Sequence, residues 1–284
     1  MGDQNKLFWP LIAIFIFIVL FLFLFDKQLP GAEIFIFQVG QGDAILIKSR
    51  GGELIVVDGG PDLSVLKKLG LVLSFWQRQI DYLILSHPHD DHLFGLIEIW
   101  RRYQVKNVVR SSLFSDTAAD QLFSQLSRQR TYIVSHRQII RLRAGCSLNF
   151  LYPLSESDFI ISDVNDSSLV FKFECPGVAV LFTGDAGKKV ERSLIDSGLD
   201  LSAGFFKISH HGSQTASTPE FLKASGATVA IISVGENNKF GHPATSTLLR
   251  LAGLKFKVFR TDFDGDLKIY ANNGKYVIDK LSFD

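Results

Sequence analysis

The run Ser86-His87-Pro88-His89-Asp90-Asp91-His92 packs three of the chain's seven histidines and two carboxylates into seven residues, in the order His-x-His-x-Asp-His. Imidazole nitrogen and carboxylate oxygen together suit zinc, manganese or iron. Two such ions side by side make hydroxide from water at neutral pH and polarise an ester, so the chemistry expected here is hydrolysis. His87, His89, Asp91 and His92 are the candidate ligands, and Asp91 is also a candidate catalytic group.

Such a cluster needs rigid elements to aim it. The apolar run Tyr82-Leu83-Ile84-Leu85 reads as a strand that delivers His87 and His89, and Asp91 and His92 would open an amphipathic helix over Leu93–Tyr103. Two later strand ends repeat the arrangement. Leu181-Phe182-Thr183-Gly184-Asp185 puts Asp185 where a carboxylate could bridge two ions. Phe205-Phe206-Lys207-Ile208-Ser209-His210-His211-Gly212-Ser213 offers His210 or His211 as a ligand, with Lys207 as a cation for an anionic transition state. Asn238-Lys239-Phe240-Gly241-His242-Pro243 places His242 at a helix start, as proton donor or oxygen clamp. Asp58, in Val57-Asp58-Gly59-Gly60, reads on its own as a turn residue. Gln38-Val39-Gly40-Gln41-Gly42-Asp43 reads as a hairpin turn whose glycines free the backbone.

Around these motifs the chain alternates strands and helices. Glu33–Val39, Asp43–Lys48 and Glu53–Val57 are expected as consecutive antiparallel strands, followed by a helix within Asp62–Gln77. Strands flanked by helices recur in the second half, which predicts a layered α/β/β/α sandwich of two similar halves. At 284 residues and 46% hydrophobic the chain can bury a large core, and a net charge of +1 excludes polyanion binding driven by the whole-molecule field. A local imbalance exists nonetheless. Gln121–Ser155 carries Arg128, Arg130, Arg137, Arg141 and Arg143 with no Asp or Glu, either a phosphate-backbone surface or a solvated face. Cys146 and Cys175 are expected as free thiols.

Leu7–Phe25 is nineteen residues without a charge; at 1.5 Å per residue it reaches about 28 Å, enough for a bilayer core. No short apolar core with a small-x-small cleavage site is present, so an uncleaved single-pass anchor is expected, with the rest of the chain outside the cytoplasm. Residues 1–32 would then form anchor and linker, and residues 33–284 the hydrolase domain.

In sequence the chain resembles the metallo-β-lactamase-fold domain of ComEC-type competence proteins. The resemblance rests on Val39-Gly40-Gln41-Gly42-Asp43, Val57-Asp58-Gly59-Gly60, Leu85 through His92, Thr183-Gly184-Asp185, His210-His211-Gly212-Ser213, Gly241-His242-Pro243 and Phe259-Arg260-Thr261-Asp262-Phe263-Asp264-Gly265-Asp266-Leu267. It implies a four-layer αββα sandwich, two divalent metal ions and hydrolysis of phosphodiesters outside the cell, where such proteins are thought to degrade one strand of incoming DNA. Those proteins also carry a multi-span channel domain, so a separate DNA-channel protein is an expected partner. The wider superfamily has a His ligand between the Asp-His pair and the bridging Asp. This chain reads Asn165-Asp166-Ser167-Ser168-Leu169-Val170 there, as ComEC-like members do, which makes Asn165 a candidate neutral oxygen donor and shifts the balance from zinc towards manganese. Asp43, Asp58, Asn165 and Ser168 are candidates for supporting or substrate contacts. The leading expectation is a membrane-anchored phosphodiesterase or nuclease. The alternatives are a hydrolase of another ester, such as a phosphocholine esterase or lactonase, and a non-catalytic DNA-binding module.

Overall fold

The computed structural model describes residues 4–27, 31–159, 163–272 and 275–281. The backbone divides into two compact units, Met1–Gly31 and Ala32–Asp284. In the first, helix α1 (Gln4–Lys27) contains Pro10 and exposes apolar side chains such as Phe15 and Ile18. Among the residues described, no helix is long and apolar enough to cross a membrane. The described side chains of α1 run from Trp9 to Leu20, so both ends of the expected span Leu7–Phe25 lie outside them.

The second unit begins with β1 (Glu33–Ile36), β2 (Ala44–Lys48), β3 (Leu54–Gly59), α2 (Ser64–Val72), β4 (Gln79–Leu85), α3 (Asp90–Arg102), β5 (Gln104–Ser111), α4 (Ala118–Ser127) and β6 (Thr131–Val134). It continues with β7 (Gln138–Arg141), β8 (Ser147–Tyr152), β9 (Val170–Cys175), β10 (Val178–Phe182), α5 (Lys188–Asp196), β11 (Phe205–Lys207), α6 (Pro219–Ala224) and β12 (Val229–Ile232). It closes with α7 (Thr245–Gly253), β13 (Lys257–Arg260), α8 (Thr261–Asp264), β14 (Asp266–Asn272) and β15 (Lys275–Leu281). One sheet has the order β15-β14-β1-β2-β3-β4-β5-β6 and the other β13-β12-β11-β10-β9-β8-β7.

Side-chain alternation assigns the layers. Ile34 and Ile36 of β1 face inward to meet Phe150, Phe171 and Phe182 of the other sheet, while Phe35 and Phe37 face outward to α2–α4 with Leu46, Val56 and Leu83. Leu181, Phe206 and Ile232 make the same outward contact with α5–α7. Both faces of the central strands are therefore buried, which explains their nearly unbroken apolar runs. The result is the expected α/β/β/α layering. α3 lies so close to β3 that a Cβ on Gly95 would stand 1.9 Å from the Gly59 carbonyl oxygen, and only glycine fits there.

β3 to β6 run parallel, as do β10 to β13, so the loops after β3, β4, β10 and β11 gather along one edge of the sandwich. We call this the catalytic edge.

Three expectations are corrected here. Cys146 and Cys175 are not free thiols: they form a disulfide, because antiparallel pairing of β8 with β9 sets their Cα atoms 4.2 Å apart. No count of cysteines reveals that neighbourhood. The Gln38–Asp43 segment is not a plain hairpin turn, since a Cβ on Gly42 would stand 2.2 Å from the Asp91 carbonyl oxygen, and the Asp43 N–H donates to that oxygen at 3.3 Å. Finally, the arginines do not form one surface. β6 runs towards the catalytic edge and β7 away from it, so Arg137, in the turn between them, lies at that edge while Arg128, Arg130, Arg141 and Arg143 lie at the other.

Candidate metal centre

His87 and His89 follow β4, Asp91 and His92 form the first turn of α3, Asp185 follows β10, and His210 and His211 follow β11. Asp185 is the hub. Its Oδ2 stands 3.5 Å from His92 Nε2, 3.6 Å from His211 Nε2 and 3.9 Å from each of His87 Nε2 and His210 Nε2. Asp91 Oδ2 closes the other side, 3.4 Å from His211 Nε2 and 3.9 Å from His92 Nε2. His89 Nδ1 lies 3.0 Å from His87 Nε2. Two triads that share His92, His87–His92–Asp185 and Asp91–His92–His211, have donor atoms close enough together to hold an ion, as does a third group, Asp43, Asp58 and His92.

The outer hydrogen bonds set which ring nitrogen carries the lone pair; His92 Nε2 and His211 Nε2 have no hydrogen-bond partner, while His87 Nε2 meets His89 Nδ1. His92 Nδ1 donates to Asp58 Oδ2 at 2.8 Å and His211 Nδ1 to the Ser233 carbonyl at 2.9 Å. Ser86 Oγ gives its proton to Asp58 Oδ2 at 2.7 Å and so faces His87 Nδ1, at 3.0 Å, as an acceptor. In each neutral ring the lone pair then sits on Nε2, the nitrogen facing Asp185. Asp58 is therefore an orienting group instead of a turn residue alone. It is held at φ +55° with the Ser86 N–H on its Oδ1 at 2.8 Å, a left-handed backbone uncommon outside glycine that Asp tolerates better than most residues. His210 and His211 share that region, at φ +50° and +52°.

Burial and neighbouring charges set the titration. Burial, then the charge of His92, pushes the His87 imidazole well below its ordinary value. Burial would lower His92 too, but Asp185, Asp58 and Asp91 overcome it and raise His92 well above the ordinary value. His211 is raised by Asp185, Asp91 and Asp43 against the same opposing burial. Burial works to raise Asp185, and the imidazoles of His211 and His92 outweigh it and hold the carboxyl well below its usual range. The buried Asp43, Asp58 and Asp185, with the part-exposed Asp91, thus make an acidic centre that favours positive charge.

That donor set fits divalent ions. His92 Nε2, His211 Nε2, Asp185 Oδ1 and Asn165 Oδ1 are all buried without a hydrogen-bond partner, an unsatisfied arrangement that coordination would resolve. Asn165 lines a cavity of about 190 Å³ together with His89, Asp91, Asp185, His210 and His242. Its amide oxygen is among the buried atoms left without a hydrogen-bond partner.

The remaining expected residues divide. His242 lines the cavity with its Nδ1 buried and unpartnered, its ring centroid 5.6 Å from that of His210. Ser168 Oγ accepts from the Asp185 N–H at 3.0 Å and fixes that loop. Lys207 does not point to substrate: it is buried, and its Nζ binds Asp43 Oδ2 at 2.7 Å. Asp43 in turn lies 3.6 Å from His211 Nδ1. His210 is part-exposed and stands outside both triads, whereas His211 is buried within one. Of the arginines, Arg143 is spent on Glu53 at 2.8 Å and Arg130 on the Val105 carbonyl. Sequence reasoning assigned no role to Asn238, whose side chain binds the backbone N–H and carbonyl of His242, or to Gln41 and Phe240, which line the cavity. Their one signal was position beside Gly42 and His242.

Residues 37–236 match the metallo-beta-lactamase superfamily model. The chain belongs to the metallo-beta-lactamase superfamily. Within it, the chain is 26% identical over 278 residues to ComE operon protein 3 of Bacillus subtilis, covering 90% of this chain and 35% of that one. It is 26% identical over 250 residues to competence protein ComA of Neisseria gonorrhoeae, covering 86% and 33%. The chain thus spans about a third of the length of these curated relatives. Both are competence proteins of the ComEC type, as the sequence motifs implied. Among solved structures, CmlA, a diiron beta-hydroxylase from Streptomyces venezuelae, superposes with a TM-score of 0.58 at 13% identity, over 85% of this chain and 55% of its own. That likeness bears on the metallo-beta-lactamase fold alone.

Proposed function

We propose that this chain is a membrane-anchored phosphodiesterase that cleaves DNA with two divalent ions at the Asp185 centre. The observation that carries the reading is the convergence of His87, His92, His211 and Asp91 on Asp185, with donor atoms of His92, His211, Asp185 and Asn165 left unsatisfied and the last three residues lining one small cavity. His87, His89, Asn165 and Asp185 would hold one ion, and Asp91, His92, His211 and Asp185 the other. When bound, the ions supply Lewis acidity towards phosphate oxygens and lower the pKa of water. Asp58 and the Ser233 carbonyl keep the ligand nitrogens in the right tautomer, and Lys207 neutralises Asp43 behind His211. His242, its backbone held by Asn238, is placed to hydrogen-bond a phosphate oxygen or to give a proton to the leaving oxygen from Nδ1. Manganese is favoured because Asn165 contributes oxygen where imidazole would favour zinc.

DNA as the substrate is supported by the kinship with competence proteins. The arginine stretch supports it less, since Arg137 is its one member at the catalytic edge. Anchoring is supported by the uncharged run Leu7–Phe25 of the sequence, which at 1.5 Å per residue would rise about 28 Å, close to the thickness of a hydrocarbon core of about 30 Å. A separate channel protein would supply the strand. Protease added outside intact cells tests the extracytoplasmic placement: digestion supports it and protection overturns it.

The enzymatic test uses the full chain in nanodiscs with end-labelled single- and double-stranded DNA and bis(p-nitrophenyl) phosphate, under manganese, zinc or chelator. Chelator-sensitive cleavage of DNA, absent in Asp91→Ala, supports the proposal. Cleavage of the small diester with DNA left intact would overturn the substrate, and hydrolysis of neither would overturn the reaction.

A further inference from the structure

Besides the anchor there is a second apolar feature, at the edge of the domain opposite the centre. Phe75 and Trp76 are 79% and 69% exposed, edge to face with ring centroids 4.7 Å apart, and Leu71 beside them is half-exposed. Their loop is not loose. The Ser74 N–H donates to Gln77 Oε1 at 2.9 Å, the Gln77 N–H to the Ser74 carbonyl at 2.8 Å, and Arg78 Nε to the Phe75 carbonyl at 2.9 Å. Two rings are thus held into solvent by a hydrogen-bonded turn, which in a soluble surface wastes apolar area.

The position of the loop says what covers it. Lys48 pairs in register with Glu33, the first residue of β1, and its Nζ donates to the Val72 carbonyl at the end of α2, at 2.7 Å. The aromatic loop therefore sits at the same edge as the point where the chain enters the domain. Ala32 is pinned there by its N–H to Tyr276 Oη at 2.9 Å. From Lys27 to Ala32 is five residue steps, an extended reach of at most about 18 Å. The charge of this edge matches as well. Glu33, Glu53 and Asp81 are each bound by a cation, Lys268, Arg143 and Lys106. Arg78, Arg128 and Arg141 have no carboxylate partner among the described residues. Aromatic rings flanked by cations, at the entry from an apolar span, have the composition of a bilayer interface contact.

We propose that Leu71, Phe75 and Trp76, with Arg78 beside them and Arg128 and Arg141 at the same edge, seat this edge of the domain on the anionic surface of the bilayer that holds α1, turning the Asp185 centre away from it. The contact rests on the anchor reading above and would explain why most of the arginine stretch lies far from the centre.

The test is lipid quenching of tryptophan in the full chain, in nanodiscs of phosphatidylcholine and phosphatidylglycerol with and without a shallow spin-labelled lipid. Two variants are compared: Trp9→Phe/Trp100→Phe, which leaves Trp76, and Trp76→Phe/Trp100→Phe, which leaves Trp9. Because Trp100 packs against the core, the difference between the wild type and Trp76→Phe is measured alongside. Loss of Trp76 emission on spin-labelled lipid, with a blue shift and protection from iodide, supports the contact. Quenching of Trp9 while Trp76 stays open to iodide overturns the contact and leaves the anchor standing. Quenching of neither overturns both. Protection of Trp76 from iodide without lipid quenching assigns the patch to a protein neighbour and also overturns the contact.

Discussion

Replacing Asp58 by Asn tests whether the hydrogen bonds behind the ligands set the metal affinity. Asp58 is almost fully buried and accepts from the Ser86 N–H at 2.8 Å, Ser86 Oγ at 2.7 Å and His92 Nδ1 at 2.8 Å. Asn is close to isosteric and tolerates the left-handed backbone at this position, so the fold should persist. Its amide can be placed in two ways. With the oxygen kept on the Ser86 N–H, the NH₂ group faces His92 Nδ1 and drives the imidazole proton to Nε2, the nitrogen that must bind the ion. With the amide turned over, the NH₂ group opposes the Ser86 N–H, an unmet buried donor that costs about 1–3 kcal/mol. Loss of an orienting group of this kind weakens metal binding about 10- to 100-fold, or about 1.4–2.7 kcal/mol. Competition with a chromophoric chelator measures the affinity, and circular dichroism checks the fold. A folded Asp58→Asn protein that binds metal within about twofold of wild type would refute the role given to Asp58.

Asn165→His should raise zinc affinity and reduce the preference for manganese, because it puts imidazole where an unpartnered amide oxygen now faces the cavity; metal content after dialysis against each ion reads this, and an unchanged ratio contradicts it. Arg137→Ala should make the dependence of log DNA affinity on log salt shallower by about 0.7 to 0.9, while Arg141→Ala, at the far edge, should not change it; equal effects would contradict the division. Acid stability should depend on Glu53. Burial tends to raise this carboxyl, but hydrogen bonds from Ser49 and Arg143 bring it from 4.5 to about 2. Because the folded value is the lower one, its contribution is complete above about pH 4.5 and is lost as pH falls towards 2. Denaturant titrations across that window should fall less steeply for Glu53→Gln than for wild type, and parallel curves would contradict the assignment.

The layers and the catalytic edge were legible because the ligand motifs each follow an apolar strand, and parallel strands bring their ends together. The choice between His210 and His211 was not legible from adjacent identical residues. It depends on a left-handed turn and on the Ser233 carbonyl, which arrives from β12. The partnership of Lys207 with Asp43 was hidden because it joins residues 164 apart in sequence, and the charge pattern showed Lys207 beside histidines only. β7 was missed because Gln138-Ile139-Ile140-Arg141 is too short to display alternation. Without that reversal the arginines looked like one surface. The disulfide was invisible for the same reason, since β8–β9 register and not cysteine count determines it.

Phosphodiester hydrolysis at the Asp185 centre should require two ions. The most direct measurement strips the protein with chelator and titrates manganese back, following bound metal and the cleavage rate of labelled DNA in the same samples. No cleavage is expected in the stripped protein, and the rate should saturate as the second equivalent binds. Full cleavage without metal, or saturation at a single ion per chain, would contradict it.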